Sequence, residues 1–149
     1  MARSVTFSVV PRRNPRNPDA APQYYAQAQA RGVVSLTEMS ERIEKECTLT
    51  KADIYAALVA LEGTIITALS NGEIVQLGEL GSMQVGLNGK GAVDEKMYEM
   101  NLIKKAHVNF RSGLGLRKML TGLVYTRVKK KSGIGVDPAP QAPDPLPME

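Results

Sequence analysis

The side chains able to do chemistry in this sequence of 149 residues are few, and their spacing removes most of the options. His107 is the only histidine, with no second histidine and no cysteine cluster beside it, so no ligand set for a metal is expected. Cys47 is the only cysteine, and no histidine stands near it in sequence to act as its base. There is no glycine-rich phosphate loop of the Walker or dinucleotide type, and Glu41, Glu44 and Glu46 fit the wet side of a helix rather than a catalytic pair. We therefore expect no enzyme, no cofactor and no small-molecule substrate. What remains is cationic. Residues 90–131 hold eleven Lys and Arg against Asp94, Glu95 and Glu99, a balance of +8, whereas residues 35–85 hold three against eight acidic residues. Residues 1–34 add five arginines against Asp19. A net charge of only +4 is thus strongly polarised, as a molecule requires if one surface meets phosphates and another meets solvent. The phosphate-facing candidates are Lys90, Lys96, Lys104, Lys105, Arg111, Arg117 and Lys118. A solvated position is the ordinary role of any one of them, and the argument rests on the segment.

Two capped helices should carry the acidic part. Ser35 and Glu38 have the spacing of a capping box, which predicts a helix from about Leu36 with Leu36, Met39, Ile43 and Cys47 on one buried stripe. Thr50 and Asp53 repeat the capping logic. The second helix aligns Ile54, Ala57, Leu58, Leu61, Ile65, Ala68 and Leu69 and should end at Asn71-Gly72, a pair suited to a left-handed cap. So short a pair of helices leaves apolar faces uncovered, and a partner chain is the simplest cover.

The remaining elements read as strands and turns. Ser4–Val9 should form a strand closed by Pro11, with Val5, Phe7 and Val9 adding or covering a sheet edge, followed by the Arg12–Pro18 loop, whose arginines are either phosphate contacts or a solvated linker. The Ala/Gln alternation after Tyr24-Tyr25 does not decide between helix and strand. Gly86–Ala92 should be flexible, and Asn101 should cap one helical turn over residues 102–105. A strand over residues 106–111 should turn Val108 and Phe110 inward and leave His107 at the surface. Ser112 should cap a helix with Leu116, Met119, Leu120 and Leu123 on one face, whose first N–H groups beside Arg111 make a phosphate seat. A last β-type segment is expected over residues 124–128. Lys129–Lys131 are either phosphate-seeking or solubilising, and a disordered proline-rich tail follows.

Two separated motifs resemble those of the HU/IHF family of histone-like DNA-binding proteins. Gly72, Val75, Gln76, Leu77, Leu80, Gly81, Met83 and Val85 match its hairpin after the second helix, with Leu80 and Met83 where the family usually has phenylalanine. Phe110-Arg111-Ser112-Gly113-Leu114-Gly115-Leu116-Arg117-Lys118 is similar to its "F-K-P-G-K-x-L-K" approach to the last helix, with Ser112 in place of proline. The likeness spans Ser35 to about Leu120. It implies an α+β fold, with a two-helix base, an antiparallel saddle with a short β-arm, a C-terminal helix and an intertwined homodimer. Residues 34–128 would be the DNA-binding domain and residues 129–149 a basic, then proline-rich tail. Residues 1–33 would be an extension, as in a related branch of HU-like proteins.

The implied function is architectural: contact with duplex phosphate and minor groove at low sequence specificity, DNA condensation and a place in the bacterial nucleoid. The family's arms are tipped by a wedging proline. Here the 24 residues between Val85 and Phe110 contain none; Met97 or Tyr98 could stand at a tip, although a packed or simply exposed side chain is the ordinary role of both. An alternative is a structural or protein-interaction module of the same fold that has lost tight DNA binding. The sequence shows no unbroken apolar run near 18 residues and no apolar leader core at its start, so a cytoplasmic protein with no membrane partner is expected.

Overall fold

A computed structural model of the chain describes residues 3–129. The lysine run beyond Lys129 and the proline-rich tail lie outside the described residues. The chain forms two compact units, one of residues 34–123 and one joining the N-terminal residues up to Val33 with those from Val124 onward. Residues 124–128, which the sequence groups with the helices, supply a strand to the N-terminal unit.

That unit is a three-stranded sheet of β1 (Val5–Arg12), β2 (Gln23–Gln29) and β6 (Tyr125–Arg127), in the order β2-β1-β6. β1 and β2 run antiparallel, and β6 lies parallel to β1. The undecided Ala/Gln segment is therefore strand, and β1 is central rather than an edge. Nor does Pro11 close β1. The Val5 N–H donates to the Val124 carbonyl and the Phe7 carbonyl accepts from the Val128 N–H, so odd positions of β1 turn their backbone groups toward β6. β6 pairs no further than Phe7, and the N–H that Pro11 lacks falls on the open edge beyond it. Thr6 and Ser8 are the buried side chains of β1, while Val5, Phe7 and Val9 are half-buried. Hydrogen bonds explain the inversion: Thr6 Oγ1 donates to the Gln29 carbonyl at 2.7 Å, and Gln29 Nε2 donates to Ser8 Oγ at 2.8 Å.

The second unit begins with α1 (Leu36–Glu44) and α2 (Lys51–Ser70). Both caps form as the spacing predicts, with Ser35 accepting from the Glu38 N–H and Thr50 from the Asp53 N–H. The side chain of Glu38 pairs instead with Arg42. α1 stops at Glu44, so Cys47 falls in the turn and is exposed rather than on a buried stripe. Ser40 is fully buried beside half-buried Leu36, while Met39 and Ile43 stay exposed.

α2 ends in a complete Schellman motif. Gly72 takes φ +77°, its N–H donates to the Leu69 carbonyl, and the Glu73 N–H donates to the Ala68 carbonyl. Ile54, Leu58, Ile65, Ala68 and Leu69 are the enclosed positions of the expected stripe, and Ala57 and Leu61 are exposed. The opposite side carries Tyr55, Val59 and Ile66, all exposed, with Glu62 in the same row, so α2 is apolar around most of its circumference. Its length and mean hydropathy of 1.6 are those of a helix able to cross a membrane, which the absence of an unbroken apolar run conceals. Ile54 is the only buried hydrophobic side chain among the described residues.

A second sheet follows, β3 (Val75–Gln76), β4 (Gly81–Gly89) and β5 (Ile103–Ser112), antiparallel throughout in the order β3-β4-β5. β4 runs through Gly86 to Gly89, where flexibility was expected, and β5 starts at Ile103, where a helical turn was expected. Two 3-10 turns, Glu95–Met97 and Met100–Leu102, fold the connection between them. α3 (Leu114–Thr121) closes the unit, capped at Gly113 and not by the Ser112 side chain, because Ser112 is still the last residue of β5.

Candidate nucleic-acid interface

The β4–β5 hairpin separates its side chains by face. Paired residues share a face, so the register Ser82↔Arg111, Gln84↔Asn109, Gly86↔His107 and Asn88↔Lys105 places all of these on one side. Gln76 joins them through its pairing with Ser82. The other side carries Met83, Val85 and Leu87 opposite Phe110, Val108 and Ala106. The polar side has amides, a serine, an imidazole and two cations, and no carboxylate. Gln84, Asn88, Lys105, Asn109 and Arg111 on it are exposed.

His107 is half-buried rather than at the surface. Its ring lies against Gly86, where a Cβ would come within 2.6 Å of Nε2 and of the Asn109 amide nitrogen, so glycine leaves the room that both side chains occupy. Its Nδ1 is enclosed and without a hydrogen-bond partner among the described residues.

The seven candidate cations fall into two groups. At the end near α3, Arg111 and Arg117 line one shallow concavity with Gln76, Ser82, Ser112 and Gly113. Lys118 follows Arg117 about 100° further around α3, outside that concavity. At the far end, Lys90 and Lys105 flank the close of the hairpin, and the Lys90 N–H donates to the Leu102 carbonyl at 3.0 Å. Lys104 sits at a register shift opposite Asn88/Gly89, and its ammonium donates to the Asn101 carbonyl at 2.8 Å. Lys96 lies in the first 3-10 turn, beside Glu95. The far group therefore shares its loop with Asp94, Glu95 and Glu99, and the near group is the cleaner of the two.

The expected phosphate seat at the start of α3 is partly occupied. The Gly113 N–H donates to the Leu80 carbonyl at 2.9 Å and the Gly115 N–H to the Glu79 carbonyl at 3.1 Å. The Glu79 carboxylate also stands near Gly115, within 3.1 Å of where a Cβ would be. The protein's own loop thus occupies these helix-start donors.

Gln84, Asn88 and His107 were missed as interface residues in the sequence. The signal that could have found them is the period-two polar pattern that β4 and β5 share once their register is known.

Two solved structures align with this chain. A candidate bacterial DNA-binding protein from Bacteroides vulgatus aligns at a TM-score of 0.61 and 14% identity, over 89% of this chain and 51% of that one, so the chain spans about half of that protein's length. HU of Anabaena, crystallised with DNA, aligns at a TM-score of 0.47 and 22% identity, over 59% of this chain and 98% of that one. No curated protein matches. Residues 3–127 match the family described as an HU domain fused to wHTH, Ig, or glycine-rich motif, and the chain belongs to that family.

Proposed function

We propose that the chain is an HU-type architectural DNA-binding protein that acts as a homodimer on the bacterial nucleoid in the cytoplasm, with little sequence preference. The observation that carries this reading is the carboxylate-free polar face of β4–β5, bounded by Arg111 and Arg117 at one end and Lys105 at the other. Arg111 and Lys105 stand six residues apart on one side of a strand, about 20 Å, a span that several backbone phosphates occupy. Cations there release condensed counterions. Between them Gln84, Asn88 and Asn109 offer amide donors and acceptors to sugars and base edges, and a minor groove's degenerate pattern leaves such contacts nearly blind to sequence. With no arm-tip proline, strong kinking by a wedge is not part of this reading.

The homodimer is supported by α2. A helix apolar around most of its circumference belongs largely in an interior, yet only 6% of its most apolar window is buried within one chain. Val108 and Phe110 on the apolar side of the hairpin are likewise open, at 57% and 52% exposure. A second copy would supply the missing half of one shared core.

The test is duplex binding by fluorescence anisotropy across a salt series, for the unchanged protein and an Arg111→Ala/Arg117→Ala/Lys118→Ala variant. We expect affinity to fall steeply with salt, and the variant to bind more weakly with a slope shallower by about two to three, since each phosphate contact contributes about 0.9. Binding indifferent to salt would sink the reading. The second reading, a protein-interaction module of the same fold, draws on the far lysines: they lie among three carboxylates, and Lys104 is engaged by Asn101. It predicts a folded dimer that leaves DNA free at low salt.

A further inference from the structure

The connection between β1 and β2 holds a concentration of positive charge that the hairpin reading leaves unused. Among the described residues, the N-terminal unit carries seven Lys and Arg against Asp19 alone. Arg12, Arg13 and Arg16 gather at one end of its sheet. The two ion pairs among the described residues, Glu38–Arg42 and Glu41–Lys51, involve none of them.

The loop that bears them is built rather than slack. The Asn17 N–H donates to the Asn14 carbonyl and the Ala20 N–H to the Asn17 carbonyl, each at 3.2 Å, so two successive turns share Asn17. Pro15 and Pro18 each take the first corner of a turn, where proline's fixed φ is already suitable. Asn14 Oδ1 also accepts from the Arg16 N–H at 2.9 Å. The sequence repeat Arg13-Asn14-Pro15, Arg16-Asn17-Pro18 is therefore a structural repeat, in which each arginine leads into an Asn-Pro turn. Its stiffness lowers the entropy lost when the guanidinium groups engage a ligand.

The neighbouring sheet surface extends the site. By register, Arg12 and Gln23 are paired on the same face as Val10 and Tyr25, and the Arg12 guanidinium lies 5.8 Å from the centre of the Tyr25 ring. The Tyr25 hydroxyl donates to Gln23 Oε1 at 2.7 Å. Arg12, Arg13, Asn14, Ala20, Ala21 and Tyr25 line a cleft of about 470 Å³. Two guanidinium forks at the cleft, one braced on an aromatic ring, and Arg16 in the adjoining turn suit the bidentate geometry of phosphate oxygens, and the ring offers an apolar ledge to a sugar.

We propose that this end of the N-terminal sheet is a second DNA-backbone contact, with Arg12, Arg13 and Arg16 holding phosphates, separate from the β4–β5 face. Charge favours a polyanion as the occupant, and a stiff turn that holds several guanidinium groups side by side favours one that offers several phosphates in succession. Held in the same chain as the hairpin, the site would meet a bound duplex as an intramolecular event and add affinity without new specificity.

The experiment uses the full chain and a DNA duplex, with anisotropy across a salt series. Three variants accompany the unchanged protein: Arg12→Ala/Arg13→Ala/Arg16→Ala, the same positions changed to lysine, and the hairpin variant described above. We expect the alanine variant to lose at least tenfold in affinity at low salt and about two to three in salt slope, and the lysine variant to keep the slope. Because all three positions are exposed, circular dichroism should match across the set. Identical affinity and slope in the alanine variant and the unchanged protein would overturn the proposal while leaving the hairpin reading intact. Loss in this variant with none in the hairpin variant would do the reverse. No duplex binding by the unchanged protein would overturn both.

Discussion

The two sheets of this chain solve the same problem in opposite ways. β2-β1-β6 encloses small polar side chains and satisfies them internally, Thr6 on the Gln29 carbonyl and Ser8 on the Gln29 amide. β3-β4-β5 leaves most of its polar face exposed and presents a separate apolar face on which Met83 and Val85 are half-buried while Leu87, Val108 and Phe110 are exposed. The first sheet pairs its buried hydroxyls within one chain, and the second leaves Val108 and Phe110 more than half exposed. The difference separates two kinds of polar group: those already satisfied hold structure, and those left exposed are free to meet solvent or a ligand.

The sharpest way to break this contrast is a charge on the open side of α2. Ile66 is 66% exposed in a single chain, so if the chain stood alone Ile66→Lys would change stability by no more than about 0.5 kcal/mol. Against a second copy it would bury an unpaired ammonium and cost about 3 kcal/mol or more. We expect light scattering to report loss of the dimer, and thermal unfolding to lose its dependence on protein concentration. An unchanged mass and melting temperature would return the second sheet to the same footing as the first.

A smaller effect is expected from the N-terminal sheet. Ser8→Ala removes the acceptor of the Gln29 amide in a buried position and should cost about 1–2 kcal/mol. Faster amide exchange should be confined to β1 and β2, with dimer mass unchanged. Exchange that quickens equally in α2 would mean that the two units unfold as one. At the end of α2, Gly72→Ala places a side chain at φ +77° and should cost about 1 kcal/mol, read as a lower melting temperature with DNA affinity retained in the folded protein.

Where local chemistry decides, the chain was legible. Ser35, Thr50 and Gly72 bound their helices as their types require, because a cap depends on neighbours within a few residues. The hairpin motif from Val75 to Val85 likewise announced β3 and β4. Legibility failed where the outcome depends on a partner strand. Pro11 breaks a strand only if its nitrogen faces a neighbour, and that is settled by β6, more than a hundred residues away. Thr6 and Ser8 look outward by type and lie buried because Gln29 arrives beside them. In the candidate interface the cations were visible by type, but their division into a clean pair at Arg111 and Arg117 and a mixed group around Lys96 required the register. The Gly113 and Gly115 donors at the start of α3 look free in sequence because the Glu79–Leu80 loop that engages them lies more than thirty residues earlier.

The smallest expected effect separates the units by pH. Both ion pairs among the described residues lie in the helical unit, and in one of them the Lys51 ammonium donates to the Glu41 carboxylate across the α1–α2 turn. Glu44 braces the same turn by accepting from the Lys51 N–H at 3.1 Å. The hydrogen bond from Lys51, then its charge, hold the Glu41 carboxyl below its ordinary value of 4.5. A carboxyl lowered in the folded state binds its proton more readily in the unfolded chain. Its contribution is therefore present above pH 4.5 and is lost as pH falls through the lower folded value. Lys51→Met should melt slightly below the unchanged protein at neutral pH, and the gap should close in acid and also in high salt, since both partners are exposed. The loss should register in the helical signal and leave amide exchange in β1 and β2 untouched. A gap that widened below pH 4 would mean that Lys51 contributes through contacts other than Glu41.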